Sequence, residues 1–196
     1  MDIVLVLLLS YLVGSIPFGI LISRAFNINI LEVGSGNIGA TNVLRSLGAG
    51  PAALVLLFDM LKGAFAVYLA VLIINSYTWI IAAGLMAVIG HMYSVFLKFK
   101  GGKGIATGLG VLLGIAPDLF VITLIVGIAV IVVTRYVSLG SLTGAVVLPI
   151  LMFASHKPPQ YAWTTVVIGI LIVIRHIPNI KRLTAGTENK IGEKAP

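Results

Sequence analysis

Hydrophobic positions in this chain fall in long unbroken runs, not in the stripes and alternations of a soluble fold. Seven runs of helical character stand out, at about 3–23, 52–74, 78–97, 104–116, 119–134, 139–154 and 161–177. The breaks between them carry helix-ending residue types: Gly50-Pro51, Asn75-Ser76-Tyr77, the stretch Lys98–Lys103, Pro117-Asp118, Arg135–Ser138 and His156-Lys157-Pro158-Pro159. The fourth run is the short one, because thirteen residues rise about 20 Å against a hydrocarbon core of about 30 Å. The pattern predicts an all-α integral membrane protein: one domain, 1–196, built as a seven-helix transmembrane bundle with some short helices.

Composition agrees. Hydrophobic residues make up 59% of the chain and charged residues 10%, and the mean hydropathy is +1.14. A soluble domain of this size has no interior large enough for that much apolar surface. The first run follows Asp2 rather than a basic segment and is too long for a signal-peptide core, so it reads as a retained span. Cysteine is absent, which removes disulfides, thiolate metal sites and a cysteine nucleophile. The net charge of +7 is scattered among apolar runs, which suits anionic lipid or an anionic substrate and not nucleic acid.

The basic residues also set an orientation. With seven crossings, Arg24, Arg45, Lys98, Lys100, Lys103, Arg135, Arg175, Lys181, Arg182, Lys190 and Lys194 share one side, and only Lys157 lies on the other; Lys62 is inside a span. That is 11 against 1, whereas fusing the fourth and fifth runs gives 6 against 6. The positive-inside rule therefore selects seven crossings, with the N-terminus outside and the C-terminus in the cytoplasm.

This arrangement places three polar, glycine-bearing islands on the cytoplasmic face: Gly34–Asn42, Lys100–Gly108 and Gly186–Lys190. Each is longer than a turn requires. In the second, Gly101, Gly102 and Gly104 free the backbone to aim N–H groups at an anion, a helix begins beyond them, and Lys103 adds a full positive charge. The Walker spacing is missing, since Gly104 and not Ser or Thr follows Lys103, so ATP binding is not implied. The blander alternative for this island is a basic turn that anchors a helix at lipid headgroups. The first island offers Ser35, Asn37, Thr41 and Asn42, with Arg45 on the same face as Thr41 if a helix starts near Ile38. Pro178 ends or kinks the last helix, leaving His176 and Asn179 at the cytoplasmic boundary; Glu188 orients Lys190 or Arg45, or is simply solvated. Asp59 and Lys62, one turn apart within a span, read as a mutual ion pair facing the bundle. Ser141, in Gly140–Gly144, has the small-residue spacing of close helix packing and lies near enough to the cytoplasmic end to reach the islands.

Several classes are disfavoured. His91, His156 and His176 have no carboxylate at metal-motif or His-x4-Asp spacing, and Gly34-Ser35-Gly36 lacks the setting of a nucleophile elbow. A transporter of a phosphorylated small molecule is the rival reading, but no inverted repeat is visible and the islands gather on one face. A scaffold for anionic lipid explains the cations and not the Asn, Thr and Gly detail.

The three islands together resemble the bacterial acyl-phosphate:glycerol-3-phosphate acyltransferase family, the PlsY type. The likeness rests on Ser35–Asn42, on Lys98–Thr107, and on Arg175-His176 with Asn179 and Gly186–Lys190, and it spans nearly the whole chain. It implies a multi-pass enzyme of the bacterial inner membrane, with no metal or other cofactor, facing the cytoplasm. Such an enzyme moves an acyl group from acyl phosphate to the 1-hydroxyl of sn-glycerol 3-phosphate, giving lysophosphatidic acid and phosphate in the first step of phospholipid synthesis. On this likeness Ser35, Lys103 and His176 are the catalytic candidates. Arg45, Lys103, Ser141, His176 and Asn179 are expected to receive glycerol 3-phosphate. Ser35, Gly36, Asn37, Thr41, Asn42, Thr107 and the N–H groups of Gly101, Gly102 and Gly104 are expected to hold acyl phosphate, with Glu188 and Lys190 in support. A single chain, with membrane lipid and the two substrates as its partners, is the expected working unit.

Overall fold

The computed structural model describes residues 2–192 of the chain; Lys194, counted above, lies outside the described residues. Ten α-helices follow one another among them: α1 (Asp2–Ser15), α2 (Phe18–Ala25), α3 (Ala40–Leu47), α4 (Ala49–Ile73), α5 (Tyr77–Met92), α6 (Ile105–Ile115), α7 (Pro117–Thr134), α8 (Val137–Ala154), α9 (Pro159–Arg175) and α10 (Ile177–Thr184). A short 3-10 turn, Val95–Leu97, extends α5. Each of the seven predicted runs coincides with helix. Five stretches are long and apolar enough to cross a membrane: Asp2–Ala25, Ala49–Ile73, Tyr77–Leu97, Pro117–Thr134 and Val137–Ala154. The pair α9–α10 passes the same test as one span bent by 59°, while α6, with eleven residues, remains a short apolar helix.

The first run is not one helix, as its hydropathy predicts, but two. Pro17 has no N–H to continue the ladder and its ring crowds the preceding turn, so the chain opens at Ile16-Pro17. The carbonyls released there find other donors. Ser15 O accepts the hydroxyl of Ser94 at 2.6 Å, and Ile16 O accepts Lys62 Nζ at 3.1 Å.

Close backbone approach holds the bundle together. On α1 and α5, Gly14 lies against the Ala87 backbone and Gly90 against the Tyr11 carbonyl; on α4 and α6, Gly63 meets the Thr107 carbonyl and Gly110 the Met60 carbonyl. A methyl group at any of these would collide with backbone. In a membrane the apolar effect does not drive helices together, so such small-residue seams replace it. The central core joins Val6, Val67, Ala83, Val88, Met92, Val111 and Leu112, all nearly inaccessible. A second, smaller core of Ile20, Ile30, Ile38, Val43, Ala52 and Val55 lies under the first island and gives that loop a floor. Outward faces stay apolar: Val132 is 72% and Val133 83% exposed on α7, of which only Leu119 and Thr123 are buried.

Candidate active site

The second island is shaped before it carries any charge. Lys98 and Phe99 both take the left-handed conformation, with φ of 52° and 63°, and fold the chain back over the end of α5. Gly101 N–H then donates to Met92 O and Gly102 N–H to His91 O, each at 3.0 Å. From the other side Arg175 donates Nη2 to Gly101 O at 2.6 Å and Nε to Gly102 O at 3.0 Å, with its guanidinium over the Tyr93 ring at 5.4 Å. Two of the N–H groups expected to hold phosphate are thus already occupied, because the loop needs them to lie down on α5. The backbone groups left over are the N–H groups of Gly104, Ile105 and Ala106, for which no acceptor is present among the described residues, and Lys103 precedes them. They form the positive end of α6.

The third island reaches Lys103 through Asn179 of α10. Lys103 Nζ donates to Asn179 Oδ1 at 2.6 Å, and Asn179 Nδ2 donates to Glu188 Oε1 at 2.6 Å. The same oxygen accepts Ser138 Oγ at 2.7 Å, while Arg182 Nε donates to Oε2 at 2.6 Å. Burial pushes the Glu188 carboxyl up, but the donors Asn179, Ser138 and Arg182 outweigh it and hold the group below its ordinary range. His176 sits at the bend between α9 and α10, 2% exposed. Its Nδ1–H donates to Ile172 O at 2.8 Å, which leaves Nε2 as the unprotonated nitrogen of the neutral ring.

The first island closes the ring. Arg45 Nη2 donates to Asn189 O at 2.9 Å, tying α3 to the third island. Gly36, with φ of 65°, and Asn37 line a hollow of about 430 Å³ together with Lys98 and with Lys100 and Gly101 of the second island. The three islands thus collect at one end of the bundle, the third linked to α3 through Arg45 and to Lys103 through Asn179, and the first and second facing one hollow. Ser35 is exposed beside this hollow and Thr41 is half-buried one turn before Arg45. Lys190 lies with Nζ 5.6 Å from the centre of the Tyr136 ring.

Two residues grouped with the acyl-phosphate site are placed in the frame instead. Asn42, 2% exposed, accepts Ser35 N–H at 2.9 Å and donates to Ile30 O at 3.2 Å and Val33 O at 3.1 Å, so its amide knots the island's own backbone. Thr107 is fully buried in the α4–α6 seam at Gly63. Both look like ligands in sequence because the residue type is right; the turn each occupies faces inward. In the opposite direction, Ser138 and Arg182 bond to Glu188 and Arg175 to the Gly101 and Gly102 carbonyls, although sequence reading named none of the three as a substrate contact. Helical spacing was the available signal, since Ser138 precedes Ser141 and Arg182 follows Asn179 by three residues.

From this cationic ring an apolar groove of about 130 Å³ leads away between α6, α7, α8 and α9. Ile105, Gly108, Ser141 and Ile172 stand at its charged end, and Ile115, Leu148 and Thr165 farther along. Among the described residues no three His, Cys, Asp or Glu side chains gather as a metal site.

Desolvation, then the nearby Arg182, Arg45 and Arg175 guanidiniums, lower the Lys103 ammonium to about 8 against the opposing pull of Glu188. A depressed lysine is charged below that pH and loses its proton as pH rises through it. The expected result is an alkaline limb near pH 8 in kcat/KM, which reports the free protein. Lys103→Arg, permanently charged, should remove that limb from a pH–rate profile even where the absolute rate is lower.

The helices and the site define a class: an integral membrane protein whose cations and helix N–H groups lie beside a groove lined by apolar side chains. The chain belongs to the glycerol-3-phosphate acyltransferase family, whose model matches residues 4–186. It is 50% identical over 189 residues to a glycerol-3-phosphate acyltransferase of Thermus thermophilus, covering 96% of this chain and 95% of the relative. It is 47% identical over 190 residues to glycerol-3-phosphate acyltransferase 1 of Deinococcus radiodurans, covering 97% and 96%. Crystal structures of PlsY, an integral membrane glycerol 3-phosphate acyltransferase, superpose with a TM-score of 0.94 for the glycerol 3-phosphate form and 0.93 for the lysophosphatidic acid form. Identity to both is 38%, over 98% of this chain and 96% of theirs.

Proposed function

We propose that this protein transfers a fatty acyl group from acyl phosphate to the 1-hydroxyl of sn-glycerol 3-phosphate. As a member of the glycerol-3-phosphate acyltransferase family it is an enzyme of phospholipid synthesis that makes lysophosphatidic acid. The observation that carries the reading is the junction of Lys103, Asn179 and Glu188 at the charged mouth of an apolar groove. Both substrates bear phosphate and one bears an alkyl chain, which is what such a junction fits. Seven crossings, an outside N-terminus and a site on the cytoplasmic face of the bacterial inner membrane follow from the charge count, and a single chain is the working unit.

Glycerol 3-phosphate binds through Arg45, Lys103, Ser141, His176 and Asn179. The acyl-phosphate headgroup lies against Ser35, Gly36, Asn37, Thr41 and the N–H groups at the start of α6, with its chain in the groove. Asn42, Thr107, Gly101 and Gly102 shape this cradle without touching phosphate. The glycerol 1-hydroxyl oxygen attacks the acyl carbon, the bond from that carbon to the phosphate oxygen breaks, and the leaving phosphate takes the hydroxyl proton. An acyl phosphate is a mixed anhydride with a good leaving group, so orientation and preorganised donors account for most of the acceleration. His176 Nε2 orients the hydroxyl by accepting its hydrogen bond. His176→Gln is expected to keep activity within about tenfold of the parent, because the amide still offers an acceptor; loss of about 10³-fold would instead make His176 the general base.

The direct test supplies purified protein with palmitoyl phosphate and glycerol 3-phosphate, with palmitoyl-CoA as a parallel donor. Equal yields of phosphate and lysophosphatidic acid from acyl phosphate alone support the reading. Turnover with palmitoyl-CoA, or glycerol 3-phosphate flux without acylation, rejects it. Activity in inverted but not right-side-out vesicles with impermeant glycerol 3-phosphate tests the sidedness.

A further inference from the structure

Three ionisable side chains with no part in the chemistry above are buried together under the glycine loop. Asp59 and Lys62, one turn apart on α4, pair at 2.8 Å, and His91 near the end of α5 brings Nδ1 to 3.6 Å from the same Asp59 oxygen. None is more than 4% exposed. Stability alone does not account for an ion pair this deep, since apolar residues of the same shape commonly do as well.

Two of the three touch different pieces of the site's frame, and Asp59 joins them. Lys62 Nζ donates to Ile16 O, the carbonyl opened by Pro17. The His91 carbonyl accepts Gly102 N–H. The His91 ring presses Nε2 so near the Gly102 Cα that a Cβ there would collide with it. Gly102 O in turn holds Arg175, and Lys103 is the next residue. The cluster thus spans from the break in the first span to the residue preceding the site's central cation.

We propose that Asp59, Lys62 and His91 form a positioning device that sets the height of the glycine loop, and with it the reach of Lys103. The His91 ring fixes Gly102 from below, Asp59 and Lys62 fix the ring, and none of the three touches substrate. The inference rests on the reading of Lys103 as the anion-binding cation. A displacement of about 1 Å at such a group costs on the order of a hundredfold even when its cause is remote.

The test exchanges bulk across the contact, in full-length protein in detergent, after the parent has been shown to acylate glycerol 3-phosphate. Gly102→Ala is expected to lower kcat/KM on the order of a hundredfold, and His91→Ala to raise KM for glycerol 3-phosphate and move the alkaline limb away from about 8. The double variant is expected to recover at least about tenfold over Gly102→Ala, with the limb returning toward its parent position, because the new methyl fills space the ring vacated. Losses that simply multiply, or a His91→Ala protein with the parent's KM and limb, overturn the proposal. An inactive parent would instead overturn the acyltransferase reading. Asp59→Leu with Lys62→Met avoids leaving one charge buried alone; this pair should unfold near the parent temperature yet show the raised KM. A parent-like KM in it removes Asp59 and Lys62 from the device.

Discussion

Lys103→Ala is expected to lower kcat/KM for glycerol 3-phosphate by about 10²–10³-fold, with the thermal unfolding of the detergent-solubilised protein little changed. The magnitude is that of removing one preorganised donor from a site that stabilises developing charge. The fold survives for a structural reason. The loop is held by Gly101 and Gly102, whose N–H groups bond to Met92 and His91 and whose carbonyls bond to Arg175, and none of these involves the lysine side chain. Removing the ammonium also relieves repulsion from Arg45, Arg175 and Arg182, which depress its pKa. Steady-state kinetics with both substrates varied, beside an unfolding curve, checks the claim. Activity within a few-fold of the parent would remove Lys103 from the site.

Glu188→Ala is expected to be at least as damaging and to differ in kind. One carboxylate accepts from Asn179, Ser138 and Arg182, and Asn179 in turn receives Lys103. Its loss leaves three donors without that acceptor and removes the side-chain links from the third island to α8 and α10. Asn179 and Ser138 are buried, and leaving such groups unpaired costs about 1–3 kcal/mol apiece, whereas Arg182 can turn to water; both rate and stability should fall. Glu188→Gln keeps an acceptor for Asn179 and Ser138 but gives up the charge facing Arg182, and should lie between. The pH dependence has a definite sign. The Glu188 pKa is depressed on folding, so its contribution is present above the ordinary carboxylate value of 4.5 and is lost as pH falls below it. Acid unfolding monitored for parent and Glu188→Gln should therefore converge at low pH. A variant with parental kinetics and a parallel acid curve would reduce Glu188 to a surface charge.

Both predictions depend on knowing which polar groups are still available, and sequence and structure divide there. Hydropathy located helix in all seven runs, because a membrane span is a local property: about twenty residues must be apolar and hydrogen-bond among themselves. It missed the break at Ile16-Pro17, since a broken helix and an intact one have the same hydropathy. The islands were legible for a related reason. Asn, Lys and Arg are costly in a bilayer protein unless they have work at its surface, so their clustering beside glycines marked the candidate region, and the resemblance pointed to phosphate and acyl chemistry.

Tertiary structure decided which of those groups are already bonded within the protein. Asn42 and Lys103 are equally polar in sequence, yet Asn42 exhausts its amide on Ser35, Ile30 and Val33, while Lys103 reaches across to Asn179. Gly101 and Gly102 supply N–H groups like any glycine, but α5 takes both. The linking of Arg45 to Asn189 and of Ser138 to Glu188 joins residues far apart in the chain. A hydrogen bond has two ends, and sequence shows each donor and acceptor without showing its partner. The apolar helices and the region where polar chemistry collects were therefore determined by the sequence itself. Only the fold determined which donors are spent on architecture and which are left over, because that depends on partners far apart in the chain.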